Sequence, residues 1–390
     1  MGKSAALVLS VWATLSIGLP AQAAGKMQQG PMTLERALTS MQAKSILPGY
    51  CVAVVDGGGV RYAKGFGYAD ITQRRPYTAD TPQPVGSISK TLIGVSAMQL
   101  VESGALTLDA DVNTALPFAV RNPGFAATPI TLRQLATHTS SITDREPFYN
   151  QSYVKGAQTA FDIKTFLQSY LDPKGASYQP ANFIKARPGS TYKYSNLGAT
   201  LAALMIETKA RTTYRAYTQE HIFDPLRMQS TGWAPGEIKQ PGATLYDKQR
   251  NPMAPYTSPS YPDGGLITTC NDLGRFLSAM IRGYQGQPGL LKPASFHQMF
   301  TPQWPKQQQP KGVRPGGGLD DAFFWQRSVH GELGHSGGDQ GITAEMRFNS
   351  ITSTGRILIT NISDIDRKDV ARELDSIWLT LGKYEQSPEP

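Results

Sequence analysis

Ser87 and Lys90 stand three residues apart in the stretch Val85-Gly86-Ser87-Ile88-Ser89-Lys90, at the start of an apolar-periodic segment that runs to about Ser103. Positions i and i+3 share a face of a helix, so the lysine amine can lie beside the serine hydroxyl. A serine hydroxyl is a poor nucleophile until a neighbouring base accepts its proton, and a partly desolvated lysine can be that base. The helix N-terminus adds positive potential where an oxyanion would form. The spacing therefore predicts a self-activating serine.

The same Ser-x-x-Lys spacing occurs twice more, from Ser152 to Lys155 and from Ser190 to Lys193. Ser152 lies in a polar, tyrosine-rich stretch and Ser190 follows a Pro-Gly turn, so neither opens a helix. Only the first copy is followed by a long amphipathic segment. Taken alone, Ser87 also fits a helix N-cap with an exposed lysine one turn later, so residues elsewhere must decide.

A second candidate set, Tyr194-Ser195-Asn196, lies between a Pro-Gly turn and a long helical pattern. The Tyr194 hydroxyl could exchange a proton with Ser87, and the Asn196 amide could bind a substrate amide. The same residues could equally be a packed aromatic ring and a helix N-cap.

The third candidate set is Gly334-His335-Ser336-Gly337-Gly338, ahead of a strand-like segment. Its glycines would let the backbone approach a ligand and complete an oxyanion hole, although a hairpin turn would show the same residues. The set also matches Gly-x-Ser-x-Gly, the nucleophile motif of α/β-hydrolases, which lies between a strand and a helix and needs a later histidine. All five histidines precede Ser336, so we set that reading aside.

Strands at both ends of the chain and helices between them must position these three sets. Segments 50–55, 60–68, 342–348 and 356–362 are typical of strands, whereas 197–223 carries a long helical pattern. We predict an α/β (α+β) fold. One antiparallel β-sheet flanked by helices is built from both chain ends, and an all-helical region is inserted between them.

The domain organisation follows from the same pattern. Residues 1–23 are typical of a signal peptide, because Lys3 precedes an apolar run and Ala21-Gln22-Ala23 is a cleavage site. The rest, 24–390, is predicted to be one domain, with an α/β part at about 32–82 and 264–383 and a helical part at about 83–263. No later segment has the apolar length of a transmembrane helix, so we expect a periplasmic or secreted protein.

Composition and charge limit the classes of ligand and partner that we expect. With 40% hydrophobic residues and a formal charge of +8 in 390 residues, the chain is neither disordered nor fibrous. Its basic residues are scattered, so no nucleic acid is expected. The absence of Cys-x-x-Cys and His-Glu-x-x-His patterns predicts no metal and no cofactor. Cys51 and Cys270 could pair in an oxidising compartment, but Cys51 has the sequence surroundings of a buried strand residue, which favours separate thiols.

In chain order, the three candidate sets resemble the motifs of the serine β-lactamase and penicillin-binding-protein superfamily. They are most similar to the branch that holds class C β-lactamases, D-alanyl-D-alanine carboxypeptidases, D-aminopeptidases and related esterases. Pro48-Gly49-Tyr50, Leu135-Ala136-Thr137-His138-Thr139-Ser140 and Gly264-Gly265-Leu266 add to the likeness, which covers about residues 32–383.

The resemblance implies a transpeptidase-like fold with the site in a cleft between the α/β and helical regions. It implies Ser87 as nucleophile, Lys90 as its activating partner and Tyr194 as general acid/base, working through an acyl-enzyme. The implied substrate-binding residues are Asn196 for the substrate amide, His335 and Ser336 for a carboxylate or the leaving group, and Gly337 with Gly338, whose N–H would join that of Ser87 in the oxyanion hole.

Two residues depart from the family pattern. Class C β-lactamases carry lysine where this chain has His335. The combination of His335 with Ser195 is more similar to the D-alanyl-D-alanine carboxypeptidases and D-aminopeptidases of the same branch. A neutral imidazole binds a carboxylate less firmly than an ammonium does. Ser141 stands where the Thr-His-Thr-Ser segment usually continues with glycine, which we expect to alter only a turn.

The sequence therefore favours an exported serine hydrolase that acts on a D-amino-acid peptide, an amide, an ester or a β-lactam. Two alternatives stay open: a carboxylesterase of the same family, and a non-catalytic envelope protein that binds penicillin or peptidoglycan. Segment 144–188 could face the substrate or decorate the surface.

Overall fold

The structure is a computed structural model that describes residues 33–156, 162–304, 306–313, 321–328, 330–364 and 367–385. The predicted signal peptide at 1–23 lies outside these ranges. Within them the strands are β1 (Gly49–Asp56), β2 (Gly59–Asp70), β3 (Arg75–Pro76), β4 (Gln83–Pro84), β5 (Val154–Lys155), β6 (Tyr256–Thr257), β7 (Ile267–Thr268), β8 (Gln326–Arg327), β9 (Glu332–Asp339), β10 (Ile342–Asn349) and β11 (Thr354–Thr360).

The described strands form one large antiparallel sheet in the order β3-β2-β1-β11-β10-β9-β8. Because β1 pairs with β11, the two ends of the chain meet at the centre of the sheet, and Tyr50 faces Thr360 across that ladder. Two short pairs, β4-β7 and β5-β6, lie outside it. The prediction of an antiparallel sheet built from both chain ends is confirmed.

Strand β1 is apolar on both faces because helices cover both sides of the sheet. One set of alternating residues, Tyr50, Val52 and Val54, packs in a core with the first and last helices. The other set, Cys51, Ala53 and Val55, belongs to the larger core that extends through the helical region. A continuous apolar run rather than an alternating one is the expected result of such double cover.

The described helices are α1 (Leu34–Gln42), α2 (Lys90–Glu102), α3 (Leu132–Ala136), α4 (Phe148–Gln151), α5 (Ile163–Leu171), α6 (Asn196–Ala210), α7 (Tyr214–Thr218), α8 (Asp224–Leu226), α9 (Cys270–Tyr284), α10 (Pro293–Phe300) and α11 (Lys368–Tyr384). The expectation of one long helix at 197–223 is wrong. Arg211 has a φ of 57°, in the left-handed region that ends helices, so α6 stops there and α7 begins after Thr213.

A disulfide joins Cys51 on β1 to Cys270 at the start of α9. The expectation of separate thiols is therefore wrong. Cys51 is fully buried, as the pattern indicated, but α9 packs on that face of the sheet and brings Cys270 against it. Burial of a strand cysteine is therefore compatible with a disulfide when its partner cysteine is buried in the same core.

Candidate active site

Ser87 lies in a 3₁₀ turn, Gly86–Ser89, and α2 begins one residue later at Lys90. The sequence pattern placed the start of the helix at Ser87, whereas the α-helix starts only at Lys90. In a 3₁₀ turn residues i and i+3 eclipse each other, which brings Lys90 closer to Ser87 than an α-helix would. The serine stays partly exposed while the lysine side chain is fully buried.

Two glycines allow β9 to approach this turn. Gly86 has a φ of 56°, and a Cβ there would lie 2.8 Å from the backbone nitrogen of Gly338. A Cβ on Gly337 would lie 1.9 Å from the carbonyl oxygen of Val85, a distance that no side chain tolerates. The two backbones can therefore meet only because both positions lack side chains.

The Lys90 amine is held by three groups from three parts of the chain. Its Nζ lies 3.0 Å from Ser87 Oγ, 2.7 Å from Asn196 Oδ1 and 2.7 Å from the carbonyl oxygen of Asp263. It also lies 5.0 Å from the centre of the Tyr194 ring, on its face. The structure thus brings the predicted residues of the first two sets together around one nitrogen.

Tyr194 and Asn196 are positioned by the start of α6. Ser195 is the N-cap, and its side chain accepts from Gly198 N–H. The sequence had left Asn196 open as the cap, but its side chain points to Lys90 instead. The imidazole of His138 stacks on Tyr194 with ring centres 4.1 Å apart, and its Nδ1 accepts from Ser195 N–H at 3.2 Å.

The third set lies inside β9, not in a turn before a strand as the pattern suggested. Within the described ranges β10 pairs with β9 along its length, whereas β8 pairs only with Leu333 and Gly334. The remaining outer edge of β9 faces the Ser87 turn. Ser336 is partly exposed there and Gly338 is exposed.

His335 is 1% exposed and points into the protein interior. Its Nδ1 lies 2.6 Å from the carbonyl oxygen of Ser336. Burial lowers the pKa of His335 to about 3, and the charge of Lys90 acts in the same direction. The imidazole is therefore neutral at physiological pH.

A family model described as Beta-lactamase matches residues 34–376 of the chain. The chain belongs to the beta-lactamase family. The resemblance to the serine β-lactamase and penicillin-binding-protein superfamily is thereby confirmed, and so is the α/β fold class.

Individual relatives agree with this membership. "Serine beta-lactamase-like protein LACTB, mitochondrial" of Homo sapiens is 27% identical over 323 residues, which cover 65% of this chain and 59% of that protein. "Putative penicillin-binding protein PbpX" of Bacillus subtilis is 30% identical over 257 residues, covering 64% and 58%. The matches thus span about three fifths of the length of these relatives.

A solved structure described as "Beta-Lactamase/D-Alanine Carboxypeptidase from Pseudomonas syringae" has a TM-score of 0.67 and 17% identity, and the match covers 92% of this chain and 98% of that one. At this identity the likeness shows the fold alone.

Sequence reasoning missed Asp144, which holds the second set of this beta-lactamase-family site in place. Its carboxylate accepts from Ser195 Oγ at 2.8 Å, from Asn196 N–H at 2.6 Å and from Leu197 N–H at 3.1 Å. Burial raises the pKa of Asp144, while these donors and the Lys90 charge oppose that rise. An acidic residue some fifty positions before a helix start leaves no local signal, so only the fold could show it.

We expect Asp144→Asn to slow acylation of Ser87 about 10- to 100-fold, because an amide turns a donor toward N–H groups that need an acceptor and so shifts Asn196. Stopped-flow acylation by a reporter ester, normalised to the folded fraction, measures this. Asp162→Asn is the matched control, since Asp162 caps α5 in the same manner, through Lys164 N–H at 2.9 Å. Equal acylation rates in both variants would contradict a positioning role for Asp144.

Two further carboxylates and their tyrosines line the site and were also missed. Asp263 accepts from Tyr149 OH at 2.9 Å and from Thr200 Oγ1 at 3.0 Å. Tyr153 OH donates to Asp339 Oδ2 at 3.0 Å. The described part of segment 144–188 therefore contacts the site through Asp144, Tyr149 and Tyr153, rather than only decorating the surface.

The departure at Ser141 alters a turn. This residue has a φ of 70°, in the left-handed region where glycine is unstrained, and it accepts from Asn122 Nδ2 at 2.9 Å through its hydroxyl.

The neutral state of His335 predicts a pH dependence of stability. In the unfolded chain a histidine has a pKa near about 6.5, so unfolding takes up a proton between that pH and about 3. The stabilisation is present above pH 6.5 and is lost as the pH falls toward 3. Between pH 7 and 5 we expect the free energy of unfolding to fall about 2 kcal/mol more in the wild type than in His335→Gln. Urea unfolding at both pH values measures this difference. An equal fall in the free energy of unfolding for both proteins would contradict a buried neutral imidazole.

Among the described residues, no group of three or more His, Cys, Asp and Glu side chains could hold a metal ion. Likewise, no helix in the described ranges is long and apolar enough to cross a membrane.

Proposed function

We propose that the protein is an exported serine hydrolase that acts through an acyl-enzyme on Ser87. Its proposed substrates are D-amino-acid peptides and related amides, with esters and β-lactams as further acyl donors. One observation carries the proposal: the buried Lys90 amine lies 3.0 Å from the partly exposed Ser87 hydroxyl.

The other two contacts of Lys90 support its role as the base. Asn196 Oδ1 and the Asp263 carbonyl oxygen can only accept hydrogen bonds, so each takes one N–H of the amine. In the neutral amine, the remaining lone pair then points toward the third contact, Ser87 Oγ. This uncharged form can take the serine proton as Oγ attacks.

Groups around Ser87 could stabilise the negative charge that develops on the substrate carbonyl oxygen during attack. The N–H groups of Ser87 and Gly338 are the proposed oxyanion donors, since β9 meets the nucleophile turn at this point. Tyr194, whose ring face lies next to the Lys90 amine, is the proposed proton carrier to the leaving group. Because Asn196 Oδ1 accepts from Lys90, its Nδ2 is the group left to bind a substrate carbonyl.

The edge of β9 that pairs with no described strand favours an extended substrate. A peptide could add there as a further strand, with Ser336 and Gly338 beside it. The neutral, buried His335 offers no fixed charge for a carboxylate, so we assign it to holding β9 in place and assign carboxylate binding to Ser336. These features favour peptide and amide chemistry over efficient β-lactam hydrolysis.

Export is part of the proposal. The signal-peptide pattern at 1–23 supports it. The Cys51–Cys270 disulfide adds support, because such bonds persist mainly in oxidising compartments. We further propose the two-part arrangement in which residues 83–263 form the helical part and the chain ends form the α/β part.

Exposure of the protein to a fluorescent penicillin and to a short-chain 4-nitrophenyl ester tests the proposed function. Adduct mass and product release are followed together. A persistent penicillin adduct would support a peptidase-like site, rapid release would support a β-lactamase, and ester turnover without a penicillin adduct would support an esterase. Binding of penicillin without any covalent product would overturn the hydrolase proposal in favour of a binding protein.

A further inference from the structure

A cavity lies beside the nucleophile turn, on the side where segment 144–188 approaches β9. Its walls include Tyr153, Trp233, Tyr256, Tyr261, Asp263 and Asp339. Pro84 and Gly264 line the wall nearest to Ser87, and a Cβ on Gly264 would lie 3.9 Å from the carbonyl carbon of Gly86. The cavity is therefore continuous with the backbone that carries the proposed nucleophile.

The charges in this cavity are unbalanced. Arg215 is the cation in its wall, but it forms an ion pair with Glu237. Asp263 has Lys90 close by, on its backbone side. Among the described residues Asp339 forms no ion pair. Its carboxylate accepts from Tyr153 OH at 3.0 Å and from Gln340 N–H at 2.7 Å, and the Tyr256 side chain also lies beside it. A carboxylate can accept more hydrogen bonds than these, so Asp339 can accept from a further donor.

The environment of Asp339 makes its charge costly. Burial raises its pKa to about 6, and the nearby Asp263 carboxylate raises it further. At neutral pH the group is still largely ionised. A cation bound in the cavity would offset both the desolvation of Asp339 and its repulsion by Asp263.

Aromatic rings complete the arrangement. Tyr153 and Tyr256 both contact Asp339, and their ring centres lie 5.5 Å apart. Trp233 adds further ring surface to the same cavity, whereas the Tyr261 ring already has the Arg215 guanidinium over one face, 5.4 Å from its centre. Ring faces attract ammonium groups, and they do so most strongly where water is excluded.

We propose that this cavity is a subsite for a primary ammonium group of the substrate, held by the Asp339 carboxylate and the rings of Tyr153 and Tyr256. The inference rests on the proposed function, because it assigns the ammonium to the molecule that Ser87 attacks. It narrows the substrate class to amides or esters that carry a free amine within reach of Ser87. Asp339 is then a specificity residue that makes no contact with the reacting bond.

Direct binding tests the subsite without any chemistry. The probes are n-hexylammonium chloride and hexan-1-ol, titrated calorimetrically into the Ser87→Ala protein at pH 7.5. We expect the ammonium to bind at least about tenfold more tightly than the alcohol, because a charge-assisted bond to Asp339 replaces a neutral one. Adding Asp339→Asn should bring the ratio of the two affinities close to one. Glu220→Gln, which removes an exposed carboxylate, is the matched control and should keep the ratio.

Turnover separates failure of the subsite from failure of the proposed function. The substrates are the 4-nitrophenyl esters of 6-aminohexanoate and heptanoate, which differ by an ammonium in place of a methyl group. A higher kcat/KM for the amino ester in the wild type, lost in Asp339→Asn, supports the subsite. If both esters are turned over equally and both probes bind equally, the subsite is overturned and the hydrolase stands. If neither ester reacts but the ammonium binds preferentially, the cation site stands and the hydrolase falls.

Discussion

Ser87→Ala protein is expected to form no covalent penicillin adduct and to turn over a 4-nitrophenyl ester at least about 10⁴-fold more slowly than the wild type. Ser87 Oγ is the hydroxyl that meets the Lys90 amine, so the substitution removes the proposed nucleophile and with it the proposed acyl-enzyme. Mass spectrometry of the intact protein and ester turnover measure the two effects. The variant should keep the fold, because Ser87 is partly exposed and lies in a turn.

Two other serines provide the controls for this result. Ser190 opens another Ser-x-x-Lys sequence, but its hydroxyl donates to the Arg187 carbonyl at 2.7 Å, so Ser190→Ala should label as the wild type does. Ser336 lies on the proposed substrate edge, and Ser336→Ala should slow labelling by at most about 10³-fold. Full labelling of Ser87→Ala, or loss of the adduct only in Ser336→Ala, would place the nucleophile elsewhere.

Lys90→Met is expected to slow acylation of Ser87 by about 10²- to 10⁴-fold, because the proposed base next to the hydroxyl is lost while the hydroxyl remains. Methionine keeps much of the buried length of lysine but leaves Asn196 Oδ1 and the Asp263 carbonyl without their donor. Those two unsatisfied acceptors should lower the free energy of unfolding by about 1–3 kcal/mol each. Single-turnover acylation across pH and urea unfolding separate the two effects.

The pH dependence identifies a loss of the base. In Lys90→Met, acylation should rise with pH through hydroxide alone, without the plateau that a titrating base produces. Lys193→Met is the matched control, since Lys193 is exposed and belongs to the Ser190 sequence. If Lys90→Met keeps both the rate and the plateau when folded, Lys90 has no role in proton transfer.

Local pattern was sufficient for most of the elements. The strands predicted at 50–55 and 342–348 correspond to Gly49–Asp56 and Ile342–Asn349, because β-branched and aromatic runs fit a covered sheet. Strand β9 was missed since its glycines have low strand propensity and resemble a turn. The long helical pattern at 197–223 concealed the end of α6 at Arg211. The apolar periodicity continues through this residue, although its backbone leaves the helical conformation.

The sequence by itself determined the candidate nucleophile pair and the family. Ser87 and Lys90 are three residues apart, so local geometry alone brings them together, and the order of the three sets is a property of the chain.

Tertiary structure decided everything that connects distant residues. Three contacts join positions from 52 to 219 residues apart: Asp144 with Asn196, the Asp263 carbonyl with Lys90, and Cys51 with Cys270. The cavity at Asp339 is likewise lined by segments that are distant in the sequence. Such contacts carry no local periodicity. They form only when packing of the sheet against the helices brings each pair together, so the sequence could supply the residue types but not their neighbours.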